Sequence, residues 1–369
     1  MATDPLFVVE DFLQPVSEEA PCGIDPRLDT SPTSAYYRLK DARTAARAAE
    51  RADIESGGGI PEQWDEVADL AAEVLRGNAK DLEIAAWFIE ALVRLHGFAG
   101  LRDGFRLVEG MVRRFWDGLY PTPDEDGVLT RVGPITGLNG EGADGTLILP
   151  IRKVPLTQGS EHSYALWHYE QGAELDRITD AAKRQARISA GGVSTEMFTA
   201  SVNETPAVFF GGLVADIEAA QAAFAAMTAA LDLAAGTDSP PSAKIRDTLE
   251  AARGAVTFFA AAKLSSIAAL APAEEPAGTV ETVETADGEV VTVVKKKQGY
   301  DTREEAMAEL TRIADFFRRT EPHSPLSYTL EEAVRRGRLS LPELLAELVQ
   351  DAEARKMFLV ASGIKPSEG

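Results

Sequence analysis

Between residues 64 and 120 three helical patterns follow one another and hold three of the four tryptophans, Trp64, Trp87 and Trp116. In the first, Trp64, Val67, Ala68, Ala71, Val74 and Leu75 recur at helical spacing with acidic residues between them, and Gly77-Asn78 stops the run. One face is apolar and the other solvated. In the second, Leu82, Ile84, Trp87, Phe88, Ile89, Leu92, Val93 and Leu95 spread around too much of the circumference for a surface helix. This predicts a central, enclosed helix ended by Gly97. The third carries Leu101, Phe105, Val108, Met111, Val112, Phe115, Trp116 and Leu119 in one stripe before Pro121 and Pro123 stop it, and should pack on the second. Trp64, Trp87, Phe88, Phe105, Phe115 and Trp116 are therefore the expected core of a helical N-terminal domain. Any binding role for Trp116, at the end of its helix, would concern a protein surface.

The remaining chain extends this into a mainly α, multi-domain protein. Residues 36–55 read as a charged, Ala-rich helix ended by Ser56-Gly57-Gly58-Gly59. After Pro134, residues 135–156 mix Gly, Asn and Asp with Leu147-Ile148-Leu149-Pro150-Ile151, which predicts a short extended piece closing a first domain at 1–160. Residues 161–270 are Ala-rich, with apolar spacing at Phe209, Leu213, Ile217, Phe224, Met227 and Leu231 and again at Ile245, Leu249, Val256 and Phe259, so a helical middle domain is expected. Its loops fall at Gly191-Gly192 and at residues 236–241. Residues 271–299 form a linker in which Asp287-Gly288, between Val-rich arms at 279–294, offers a two-residue hairpin turn; an isolated hairpin is marginal in water and needs a support.

Residues 300–369 make a small C-terminal helical domain with capping patterns at Thr302/Glu305, Ser324-Pro325 and Ser340/Glu343. Its apolar stripes include Leu326, Tyr328, Leu330 and Val334, then Leu341, Leu344, Leu345 and Leu348, with Phe358 and Ile364 beyond. A core of about seventy residues is small, and domains of that size are often stabilised by association. These ten residues are therefore the expected oligomer interface. A fragment from about residue 298 onward should self-associate, while residues 1–160 stay monomeric.

Composition and motifs narrow the function by exclusion. The 369-residue chain is 45% apolar, and no stretch reads as a membrane span. Its start, MATDPLFVVEDFLQP, lacks the basic-then-apolar order of a secretory signal, which points to the cytoplasm. The lone cysteine, Cys22, rules out an internal disulfide framework. A net charge of -22 disfavours nucleic acid, whose phosphates require concentrated Lys and Arg. No phosphate-binding loop, GxSxG elbow or HExxH pattern occurs. The four histidines lack ligand spacing, and the acidic turn Asp124-Glu125-Asp126-Gly127 has Thr122 and Gly133 where a calcium loop needs acids. No catalytic, cofactor-binding or metal-binding residues are assigned.

The run KDLEIAAWFIEALVRLHGFAGLRDGFRLVEGMVRRFWDGLYPTPDEDG at 80–127, with APCGIDPRLD at 20–29 and LPIRKVPLT at 149–157, resembles the ImpA-type N-terminal domain of the TssA family of type VI secretion components. TEPHSPLSYTLEEAVRRGRLSLPELLAEL at 320–348 resembles the C-terminal oligomerisation region of shorter TssA proteins. The resemblance implies a non-enzymatic scaffold that assembles into a ring and contacts membrane-complex, baseplate, tail-tube or sheath proteins. Two alternatives remain at this level: a monomeric helical adaptor, and a hydrolase with an acidic site dispersed along the chain.

Overall fold

In the computed structural model the described residues are 2–53, 60–160, 162–270, 283–284, 290–291, 303–320, 326–337, 339, 344–345, 347 and 351. They contain fourteen α-helices and divide into two units, Met1–Glu275 and Pro276–Gly369.

The first unit grows from its apolar stripes. Helix α1 (Val9–Phe12) is a single turn that buries Phe12, and α2 (Ala35–Asp53) buries Tyr36, Leu39, Ala42 and Ala46. Helix α3 (Gln63–Gly77) buries Trp64, Val67, Ala71, Val74 and Leu75 of the stripe read in the sequence, together with Leu70, while Ala68 is half-buried. The second and third patterns are the two arms of α4 (Leu82–Phe115), which breaks at Gly97, where φ is 56° and ψ is -133°. A Cβ on Gly100 would lie 2.1 Å from the Leu92 carbonyl oxygen, and one on Gly104 would lie 2.6 Å from the Ile89 side chain. The arms thus fold back on one another at a distance that only glycine allows. Asp81 starts the first arm by accepting hydrogen bonds from the Glu83 and Ile84 amides, at 2.8 and 3.1 Å.

Beyond α4 the expected extended piece at 135–156 is instead helical: α5 (Val128–Asn139) and α6 (Ile148–Lys153). Pro150 is the third residue of α6, where a backbone N–H has no intrahelical acceptor to lose. Pro134 does lie inside α5, whose burial of Val132, Ile135 and Leu138 against α4 offsets the missing bond. Helices α7 (Leu166–Asp176), α8 (Ala181–Ser189), α9 (Thr195–Glu204), α10 (Ala207–Ala235), α11 (Ala243–Phe259) and α12 (Ala261–Leu270) complete the unit. The Gly191-Gly192 and 236–241 breaks fall between helices as the sequence indicated.

Helix α10 lies along α4, burying Ile217, Ala220, Phe224, Met227 and Leu231, with the Phe224 and Phe105 ring centroids 5.0 Å apart. One hydrophobic core therefore continues past residue 160, from Phe12 to Ala260. The stretches Leu82–Gly118 and Ala207–Asp238 are long and apolar enough to cross a membrane by length and composition, which corrects the sequence reading. The first is mostly buried in this core, and the second packs on it.

In the second unit β1 (Val283–Glu284) pairs antiparallel with β2 (Val290–Val291), Val283 opposite Val291 and Glu284 opposite Val290; the expected turn at Asp287-Gly288 lies outside the described residues. Helices α13 (Arg303–Thr320) and α14 (Leu326–Gly337) pack together around Ala314 and Val334.

Candidate interaction surface

The loop at residues 20–29 is fixed by backbone and by a buried ion network. At Gly23 φ is 75°, and a Cβ there would lie 1.9 Å from the Asn78 carbonyl oxygen. The loop crosses the end of α3 this closely because that residue is glycine. The Lys80 amide donates to the Cys22 carbonyl at 2.9 Å, and the Tyr120 hydroxyl donates to the Gly23 carbonyl at 3.2 Å. Asp25 then accepts the Arg27 amide at 3.0 Å and starts a short 3-10 turn, Pro26–Leu28.

Arg27 reaches back into the fold. Its guanidinium meets Asp25 at 3.0 Å, Asp81 at 2.7 Å and Glu83 at 2.6 Å, and lies 5.1 Å from the Tyr36 ring centroid. The Tyr36 hydroxyl donates to Glu83 at 3.0 Å. Burial pushes the fully enclosed Asp81 carboxyl above its usual range even beside Arg27, while Arg27 itself is raised by these carboxylates against the opposing effect of its own burial. Burial and Glu83 push the Tyr36 phenol up to about 12. The outcome is a rigid loop whose Ile24 and Leu28 side chains remain 70% and 73% exposed.

Other polar groups inside the unit serve packing. Glu90, 1% exposed on α4, receives Arg43 at 2.8 Å, Arg47 at 3.0 Å and the Thr146 hydroxyl at 2.7 Å. The Lys80 ammonium, also enclosed, donates to the Phe12 and Leu75 carbonyls at 2.8 Å each, and burial lowers it to about 8. Nearby Cys22 is half-buried, and burial raises its thiol, the opposite of an activated nucleophile. At the chain start, Asp216 on α10 accepts from the Thr3 amide at 2.7 Å and its hydroxyl at 2.6 Å, while Arg102 donates to the Thr3 and Asp4 carbonyls.

The residues singled out in the sequence fall into two groups. Trp64, Trp87, Phe88, Phe105 and Phe115 are buried; Trp116 is half-buried, with the Arg131 guanidinium 5.2 Å from its ring centroid. The Trp64 indole N–H has no hydrogen-bond partner, but the Arg94 guanidinium sits 4.0 Å from the ring centroid. In the second unit Val334 is buried, Leu330, Leu344 and Leu345 are half-buried, and Tyr328 is 63% exposed. Leu326 belongs to α14, but its side chain, like Leu341, Leu348, Phe358, Ile364 and the three capping patterns, lies outside what is described.

No group of three or more His, Cys, Asp and Glu side chains converges as a metal site among the described residues. Asp124 accepts the Asp126 amide and the Thr130 hydroxyl, so the acidic turn closes on itself ahead of α5. His168 accepts the Ala165 amide at 3.0 Å and serves as a cap for α7. A groove of about 250 Å³ between α10 and α11 is lined by Phe224, Ala225, Ala229 and Leu249 with Gln221, Thr228, Asp232 and Arg246. The interlocked Arg27 network escaped the sequence reading because its members are 54 and 56 residues apart; only the motif at 20–29 hinted at it.

Three comparisons bear on this arrangement. The family described as "ImpA, N-terminal, type VI secretion system" matches residues 13–140, a span that holds the loop, the ion network and both arms of α4. The chain is 25% identical over 352 residues to the type VI secretion system component TssA1 of Pseudomonas aeruginosa, covering 92% of this chain and 94% of that protein. It is also similar to a solved structure from Burkholderia cenocepacia, the N-terminal domain including the conserved ImpA_N region of the TssA component of the type VI secretion system. There the TM-score is 0.59 at 29% identity, over 70% of this chain and 95% of the other.

Proposed function

Because the chain belongs to the TssA/ImpA family of type VI secretion components, we propose that it is a non-enzymatic cytoplasmic scaffold. Its Pro276–Gly369 unit assembles copies into a ring, and the Met1–Glu275 unit contacts other proteins of the machine, in the membrane complex, baseplate, tail tube or sheath. The observation that carries this reading is the exposure of large apolar side chains on the α13–α14 pair. Among its described residues the buried apolar side chains are Ala314 and Val334, while Ile313 and Tyr328 are 37% and 63% exposed. Large apolar side chains left open on so small a unit are the kind of surface that association covers. A ring then multiplies weak contacts, since binding at one subunit raises the effective concentration at the next.

Light scattering on full-length protein and on a fragment from residue 298 to the end tests the assembly. Both should weigh several subunits at micromolar concentration. Leu344→Asp or Leu345→Asp should return the full chain to a single subunit with the first unit still folded, because each would place a charge in a buried seam. A monomeric wild-type chain would favour the monomeric adaptor instead, and assembly untouched by both substitutions would contradict the assignment of Leu344 and Leu345 to the seam.

A further inference from the structure

We propose that the Ile24–Leu28 loop is a docking ridge for a partner protein segment that carries apolar side chains flanked by Lys or Arg. The inference rests on the scaffold reading and names the chemistry of one of its contacts.

Rigidity is the first observation. A loop pinned by Gly23 against Asn78, by Asp25 capping its own 3-10 turn and by Arg27 clamped onto Asp81 and Glu83 has already lost its conformational freedom in the free protein. Yet the two large apolar side chains it holds, 70% and 73% exposed, contribute little to the core beneath them. A preorganised apolar ridge binds with little further loss of entropy.

Charge identifies the occupant. Residues 16–34 carry Glu18, Glu19, Asp25 and Asp29 against the single cation Arg27, which is itself engaged by three carboxylates. The bordering turn at Gly118 touches Cys22 and brings in the exposed Asp117. Lys80 and Arg131 lie enclosed beneath Cys22, so the charge that the loop presents to solvent is negative; Asp25 and Asp81 add to burial in raising the Tyr120 phenol, as Glu83 does for Tyr36. An acidic partner, or a nucleic acid, would be repelled here, whereas Lys or Arg around an apolar anchor would be steered onto the ridge. A second copy of this chain, at a net charge of -22, is a poor match for the same reason.

The test probes immobilised full-length protein with overlapping synthetic peptides spanning the type VI tube, sheath and baseplate proteins of the same genome. Retained peptides should combine apolar residues with flanking Lys or Arg, and should weaken as salt rises from about 50 to about 300 mM. The Ile24→Ser/Leu28→Ser double variant should lose at least about tenfold in affinity, the scale of a lost apolar anchor. Leu28→Gln should weaken binding too, with less perturbation of the loop. Both side chains lie outside the core, so the thermal melt should be unchanged. The proposal is overturned if no peptide is retained, if the retained peptides are neutral or acidic, or if the variants bind as the wild type does. It is also overturned if the double variant changes the mass of the particle, which would make the ridge a contact between copies. A wild-type chain that is a lone subunit but still retains basic, apolar peptides would refute the ring and leave the docking ridge standing.

Discussion

At the scale of single residues, Glu90 concentrates the polar interior of the first unit, drawing in two arginines from α2 and the hydroxyl of Thr146. Removing one member of a buried, hydrogen-bonded ion cluster strands the others, at a typical cost of about 3–5 kcal/mol. Arg43 and Arg47 are 20% and 29% exposed and can turn toward water, so Glu90→Ala should cost about 3 kcal/mol, the low end of that range. Urea denaturation of wild type, Glu90→Ala and Glu90→Gln checks the value, and the amide should fall between the other two. None of this was legible from the sequence, because Glu90 meets partners 43, 47 and 56 residues away and a lone acid in an apolar run carries no sign of who neutralises it. Trp64, Trp87 and Phe105 were legible, since their burial follows from periodicity alone.

At the scale of elements, the hairpin of α4 depends on missing side chains. Gly100→Ala would force a methyl against the Leu92 carbonyl and should destabilise by about 1–3 kcal/mol, the usual range for overpacking. Gly133 on α5 has open space around its Cβ position, so Gly133→Ala should be neutral or stabilise by about 0.4–1 kcal/mol through the unfolded chain. Thermal melts of the pair provide the comparison. The break at Gly97 was readable because the apolar pattern restarts beyond it. Helices α5 and α6 were misread because Pro134 and Pro150 carry breaker signals that tertiary burial at Val132, Ile135, Leu138 and Ile151 overrides.

At the scale of the whole molecule, the core that passes residue 160 changes what a truncated chain should do. The sequence suggested a self-contained fragment of residues 1–160, but the face of α4 that meets Phe224 and Met227 would then be open to water. A fragment ending at 275 should be monomeric and unfold in one cooperative step. One ending at 160 should unfold at lower urea and tend to associate; circular dichroism with light scattering on both distinguishes them. Alanine spacing in α10 announced a helix but not its partner, since small residues fit against many surfaces.

The same lengthwise pairing of α10 with α4 sets a delay during synthesis. A ribosome that has finished Phe115 must add some 120 more residues to reach Ala235, roughly ten seconds of elongation, before the cover for the hairpin leaves the exit tunnel. Throughout that interval the nascent polypeptide displays bare the side of the hairpin that α10 will cover, and it is in that window that a chaperone has something to hold.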